Sequence, residues 1–197
     1  QPFITTIKKL NFNLTNDQNN TLKEINNDLS SKNKMFRLLQ GDVGSGKTIV
    51  ALISALNVIE SGCQVALMAP TEILAMQHYK LAKSLFSKKI NLEILTSKTE
   101  YIKKKEIHRE ISNKKINMIF GTHSLFQKKI NFSNLGYIII DELHKFGVRQ
   151  RKQLSDKGGD NCDVLLMSAT PIPRTLIMSV YGDMDISIIK EKPNHRK

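Results

Sequence analysis

Short apolar runs recur along the chain, separated by longer segments whose apolar residues follow a helical spacing. Met35 to Gln40, Gln64 to Pro70, Asn91 to Thr96, Asn117 to Gly121, Tyr137 to Asp141 and Val164 to Ala169 read as buried strands, and Ile186 to Ile189 as a further short one. Thr48 to Glu60, Thr71 to Phe86 and Tyr101 to Ser112 read as helices. Such alternation is the sequence form of repeated βαβ units, so an α/β fold is predicted, with a mostly parallel sheet flanked by helices on both faces. Leu165, Leu166 and Met167, with Met76 and Leu81 on a helix, are assigned to the core. Gly62, Gly121, Gly136, Gly158 and Gly159 stand where elements end and positive φ is useful.

With no internal repeat and no low-complexity tract, residues 1–197 read as one domain. Residues 1–11 look like a lead-in segment. The polar, proline-bearing stretch 191–197 looks like the start of a linker. At 197 residues with 40% hydrophobic side chains, the chain can bury one proper core.

Thirty Lys and Arg against 18 Asp and Glu give a formal charge of +12. A polyanionic partner is one explanation; a composition biased toward Lys, Asn and Ile is the other. Cys63 and Cys162 are far apart and in no metal-binding spacing, which argues against a disulfide framework or a zinc motif. No apolar run is long enough to span a bilayer and residues 1–10 lack the apolar centre of a secretory signal, so a cytoplasmic location is expected.

The sharpest local signal is Gly41-Asp42-Val43-Gly44-Ser45-Gly46-Lys47-Thr48, a GxxxxGK(S/T) pattern between a strand and a helix. Glycines let the backbone curl until its N–H groups converge on phosphate oxygens, and the helix that follows presents its positive end to the same charge. Lys47 supplies a mobile charge for the outer phosphates of ATP, and the Thr48 hydroxyl can ligate Mg²⁺. The bland alternative is a glycine-rich turn. A second strand ends in Asp141-Glu142, at the edge where open α/β sheets place ligands. Hydrolysis of a nucleotide needs one carboxylate for Mg²⁺, assigned to Asp141, and one to orient water, assigned to Glu142. Lys47, Asp141 and Glu142 are therefore the candidate catalytic set, with Thr48 and Asp141 as metal ligands. As an isolated pair, Asp141 and Glu142 would be ordinary solvated residues.

Further segments carry a resemblance. They are Phe12, Leu14, Thr15 and Gln18; Ala69 to Ala75 with Gln77 and His78; Gly121-Thr122-His123-Ser124-Leu125; Asp141 to Arg151, similar to DEQHRFGVRQR; Ser168 to Thr175, similar to TATPIPRT; and Tyr181 to Asp185. With the phosphate loop, these segments resemble the superfamily 2 helicases, and within them the RecG family of branch-migration helicases. The resemblance spans nearly the whole chain. It implies a RecA-like P-loop domain, the first of two motor domains, that uses ATP and Mg²⁺ to move along DNA. It implies nucleotide contacts from Gln18, reading adenine, and from Gly41, Asp42, Val43, Gly44, Ser45, Gly46, Lys47 and Thr48. DNA contacts, mainly to phosphates, fall to Pro70, Thr71, Glu72, Gln77, Thr122 and His123. Coupling falls to His144, Ser168, Ala169, Thr170 and Arg174. A second RecA-like domain bearing an arginine finger and a DNA-gripping wedge domain are implied as partners on the same parent chain.

Three positions depart from the family pattern. Leu143 replaces a glutamine and cannot make its hydrogen bond; Lys145 replaces an arginine and loses a planar fork; Ser168 replaces a threonine and keeps the hydroxyl. The first two bear on coupling rather than on nucleotide binding. Other readings are a transcription-repair coupling translocase, which shares FGV and ATPIPRT, or a nucleotide-binding module without activity of its own. A phosphate loop also serves small-molecule kinases, which have no use for the later segments.

Lys103, Lys104, Lys105, Arg109, Lys114 and Lys115 form a basic cluster, read as a solvated helix face in preference to a DNA path. His78, His108 and His195 are taken as surface residues, and Asp183 and Asp185 as a turn before the last strand, not a metal pair.

Overall fold

The computed structural model of the chain describes residues 13–126, 129–142, 162–173, 175, 182 and 184–193. The lead-in segment 1–11, Phe12, Leu143, His144, Lys145, Gly158, Gly159, Arg174, Asp183 and His195 lie outside the described residues. Helix α1 covers Asn16–Leu29, strand β1 Phe36–Gly41, α2 Lys47–Glu60, β2 Gln64–Met68 and α3 Glu72–Leu85. There follow β3 Leu92–Leu95, α4 Tyr101–Ser112, β4 Met118–Gly121, a 3₁₀ turn His123–Phe126, β5 Leu135–Ile140, β6 Asp163–Ser168 and β7 Asp185–Ile189. None of the described helices is long and apolar enough to cross a membrane.

The strands form one parallel sheet in the order β3-β4-β2-β5-β6-β1-β7. Alternation along each strand splits its residues between two cores. Leu39, Tyr137, Ile139, Leu165 and Met167 face α1, α2 and α3, whereas Leu38, Ile138, Ile140 and Leu166 face Ile107 and Ile111 of α4. Because both faces are covered, the strands read as continuous apolar runs, as expected of a parallel sheet. The basic cluster on α4 and its exit is largely exposed.

Helix α1 escapes the apolar pattern because Leu22 and Ile25 are its only buried apolar residues, among many asparagines. Its signal is a capping box: Thr15 Oγ1 accepts from the Gln18 N–H, while Gln18 Oε1 accepts from the Thr15 N–H at 2.9 Å. α1 packs against α2 and β7. Arg37 of β1, only 8% exposed, joins these layers. It donates to Asp28 at 2.7 Å and to Ser187 at 2.8 Å, with Glu24 at 3.4 Å. The chain leaves β7 through a reciprocal clasp: Asp17 accepts from the N–H groups of Lys190 and Glu191, and Glu191 accepts from those of Asn16 and Asp17. These backbone donors hold the Asp17 carboxyl below its ordinary range.

Two glycines have a different reason from the expected one. Gly121 ends β4 as expected and Gly136 lies inside β5, and neither carries positive φ. A Cβ on Gly121 would meet the Leu95 carbonyl oxygen at 2.7 Å, and one on Gly136 would meet Cys63 Cβ at 2.7 Å. Gly62, at φ 84°, does take the left-handed conformation at the end of α2. Met76, expected in the core, is exposed, while Leu81 is partly buried against it. Cys162 is buried, which pushes its thiol up to about 12, and Cys63 is half-buried.

Tyr137 is fully buried, and its hydroxyl lies 3.0 Å from Ser54 Oγ, which itself donates to the Ala51 carbonyl. Burial pushes the phenol above its usual range. Tyr137→Phe is expected to cost about 1 kcal/mol, because Ser54 retains its own acceptor and only one bond is lost. Urea unfolding of both proteins checks this; a loss above about 3 kcal/mol would point to repacking instead of a lost hydrogen bond.

Candidate functional site

A parallel sheet brings the carboxyl ends of all its strands to one edge, and the chemically distinctive segments leave the sheet there. The phosphate loop follows β1, Asp141-Glu142 follows β5, and Ser168-Ala169-Thr170 follows β6, which lies between those two strands. Pro70-Thr71 follows β2, and Thr122-His123 follows β4, on the other side of β5. Strand β5 thus divides the edge into two halves.

In the phosphate loop, Gly44 and Gly46 hold φ of 85° and 86°, the left-handed conformation that curls the backbone. Gly46 also caps α2, with no side chain closing the helix end. Lys47 Nζ donates to the carbonyls of Gly41 and Asp42, 3.0 Å in the second case. Burial lowers the Lys47 amine below its ordinary value, against the opposing pull of Asp141, Glu142 and Asp42. The ammonium thus lies within electrostatic reach of both carboxylates that follow β5. Ser45 Oγ is fully buried without a polar partner among the described residues. The loop's curl, the positive start of α2 and Lys47 held on exchangeable carbonyls fit a polyphosphate. Thr48, in the first turn of α2, and Asp141, just after β5, offer oxygen donors, the ligand type a hard divalent cation takes together with phosphate oxygens.

Gln18, 2% exposed, donates its amide to the Ser45 carbonyl at 2.7 Å while its oxygen completes the capping box of α1. In this structure Gln18 is a brace between α1 and the phosphate loop, a link that the expected contact with adenine does not reveal.

Glu142 adopts φ of 62°, one of only two positive values among described non-glycine residues. Left-handed backbone at such a residue is uncommon and concentrates where a side chain must be aimed. Asp141 is tied back: its N–H donates to the Met68 carbonyl at 2.9 Å, and its Oδ2 lies 2.7 Å from His78 Nε2. His78 is therefore not the surface residue expected from the sequence; it is 8% exposed on the inner face of α3. Helical position alone conceals this, since its partner lies 63 residues away. His108 is likewise half-buried, not a surface residue.

The other half of the edge holds a cleft of about 460 Å³ lined by Pro70, Thr71, Glu72, Thr96, Lys104, Thr122, His123 and Ser124 among others. It gathers five of the six residues expected to meet DNA. Gln77, the sixth, is exposed on α3 and does not line it. Thr71 caps α3 by accepting from the Leu74 N–H, and Glu72 accepts from the Ser97 N–H, so both rims of the cleft are braced. Among the coupling candidates, buried Ser168 Oγ accepts from the Thr170 N–H at 3.2 Å, forming a tight turn; Ala169 is half-buried and Thr170 exposed.

A family model of DEAD/DEAH box helicases matches residues 15–178. The chain is 54% identical to the ATP-dependent DNA helicase RecG of Aquifex aeolicus over 193 residues, which are 97% of this chain and 24% of that protein. Against RecG of Bacillus subtilis the identity is 51% over 192 residues, 97% of this chain and 28% of the other. A solved structure of RecG bound to a three-way DNA junction superposes with a TM-score of 0.84 at 43% identity, covering 98% of this chain and 26% of that one. The chain thus spans about a quarter of the length of the relatives it matches.

Proposed function

The chain belongs to the DEAD/DEAH box helicase family, and from that premise we propose that it is the first RecA-like motor domain of an ATP-dependent DNA helicase of the RecG type. The parent protein would spend ATP on remodelling forked or branched DNA, with a second motor domain beyond residues 191–197 and a wedge domain before residue 1. The observation that carries this reading is the shared carboxyl edge: phosphate loop and Asp141-Glu142 on one side of β5, the Thr71–Thr122 cleft on the other.

Each residue's part follows from its chemistry. Backbone N–H groups of 42–48 bind phosphates, and Lys47 exchanges its two carbonyl partners for phosphate oxygens. Mg²⁺, when bound with ATP through Thr48 and Asp141, supplies charge neutralisation on the phosphates. Glu142 orients the attacking water and accepts its proton. Ser168 to Thr170, at the end of the strand between the phosphate loop's strand and that of Asp141-Glu142, would report the state of the nucleotide toward the cleft. Thr71, Thr122 and nearby backbone N–H groups hold a strand by its phosphates, which positions it without reading sequence.

The test is ATP hydrolysis by the full-length protein with and without forked DNA. Stimulation by forks well above that by linear duplex is expected; equal rates with and without any DNA would refute a DNA-directed motor. Because its contacts are with phosphates, DNA binding is expected to weaken steeply as salt rises, about one power of ten in affinity per power of ten in salt for each phosphate contacted. A flat salt response in a binding titration would remove the cleft from consideration as a phosphate track.

A further inference from the structure

Asp141 is held twice by one unit of the fold. Its backbone N–H bonds to Met68 of β2, and its side chain meets His78 of α3, the helix that β2 leads into through Pro70 and Thr71. The two side chains are 10% and 12% exposed, so neither is freely hydrated in place of the other. An ionised carboxylate can only accept, so Nε2 presents the hydrogen. Six residues before His78, about 9 Å along the helix at 1.5 Å per residue, Glu72 lines the cleft, and Thr71 beside it caps the same helix.

We propose that His78 is a positioning residue: it fixes the carboxylate of Asp141 for the nucleotide's metal and ties that orientation to the placement of α3, so that occupation of the cleft alters metal affinity. The inference rests on the reading of Asp141 as a metal ligand given above. A side chain that only fills space on the inner face of α3 needs no donor aimed at Asp141, and a neighbouring Ala75 and Ala82 show that this face accepts apolar residues. Rigid α3 is the physical connection, since a helix shifted at its capped first turn carries His78 with it.

The experiment uses the full-length protein and a fluorescent ADP analogue, titrated with and without Mg²⁺ and with and without a single-stranded oligonucleotide, so that no turnover is involved. His78→Phe keeps an aromatic ring without the donor; it is expected to weaken Mg²⁺-dependent binding about 10- to 100-fold, as loss of a ligand's hydrogen-bond partner does, and to leave Mg²⁺-free binding unchanged. His78→Gln places an amide N–H near the position of Nε2 and is expected to recover most of the loss. The oligonucleotide is expected to change Mg²⁺ affinity in the wild type and not in the Phe variant. Unchanged Mg²⁺ dependence in His78→Phe overturns the proposal. So does equal weakening with and without Mg²⁺, or failure of Gln to rescue while its melting temperature matches the wild type. Asp141→Asn is the control that separates the two ideas: if it leaves Mg²⁺ dependence intact, the metal-site reading fails and the inference with it; if it abolishes the dependence while His78→Phe does not, only the inference fails.

Discussion

Glu142→Gln in the full-length protein is expected to lower DNA-stimulated ATP turnover by about 100- to 10,000-fold, the range for loss of a general base. The substitution keeps size and hydrogen-bonding reach and removes the negative charge together with the ability to take a proton. Glu142 stands at the end of a strand whose preceding residues are fully buried, at φ 62°, half-buried and electrically felt by Lys47. Its backbone is thereby aimed independently of its carboxylate, so the variant is expected to fold and to bind nucleotide within about threefold of wild type, less than 1 kcal/mol. Steady-state hydrolysis and a nucleotide titration, run side by side, check both halves. Retention of more than a tenth of the turnover would remove Glu142 from the role of base. A parallel collapse of nucleotide affinity would make it a binding residue instead.

The second large effect is expected from Gly46→Ala. At φ 86° an added Cβ enters the left-handed region, at a cost of about 1–2 kcal/mol. The same Cβ would stand 2.2 Å from Gln18 Nε2. Relief requires Gln18 to swing away, which breaks its bond to the Ser45 carbonyl and opens the capping box of α1, worth a further 0.5–2 kcal/mol or about that. Together these predict a fall in melting temperature of several degrees, at roughly 2–4 °C per kcal/mol for a domain of this size. Nucleotide affinity is expected to fall at least about tenfold, since displacing the loop by 1.4 kcal/mol from its phosphate-ready shape suffices. Adding Gln18→Ala removes the clash and leaves the backbone strain. The double variant is therefore expected to be less destabilised than the sum of the single ones, a non-additivity that a thermal-unfolding cycle reads directly. Additive losses would show that Gln18 and Gly46 do not meet.

Most of the architecture was legible because both its signals are local. Buried parallel strands announce themselves as apolar runs, and the helices between them keep a 3.6-residue spacing. The seven strands and helices α2, α3 and α4 lie where the pattern predicted, within a residue or two at their ends. The helix that was missed, α1, is the one whose stability depends on partners: its own apolar face is thin, and Arg37 of β1, the Ser45 carbonyl and the segment Lys190-Glu191 hold it from other elements. Only the Thr15–Gln18 capping pair stood in the sequence as a notice of it.

The candidate site divides in the same way. The phosphate loop is a contiguous stretch whose chemistry, glycines, lysine and threonine, is written within eight residues, and Asp141-Glu142 is a contiguous pair at a strand end. The sequence by itself therefore determined the fold class, the loop and the carboxylates, because each depends on neighbours in the chain. What only the tertiary structure decided is who touches whom across the sheet. His78 turned inward to Asp141, Gln18 bracing Ser45, Gly121 and Gly136 kept small by the backbone and side chains beside them, and Gln77 left outside the cleft all depend on strand order. The order β3-β4-β2-β5-β6-β1-β7 sets β5 between the two halves of the edge and brings His78 of α3 within reach of Asp141 at its end. Spacing along the chain carries no record of that order, since contacts between distant residues arise from packing two apolar faces and not from local conformational preference.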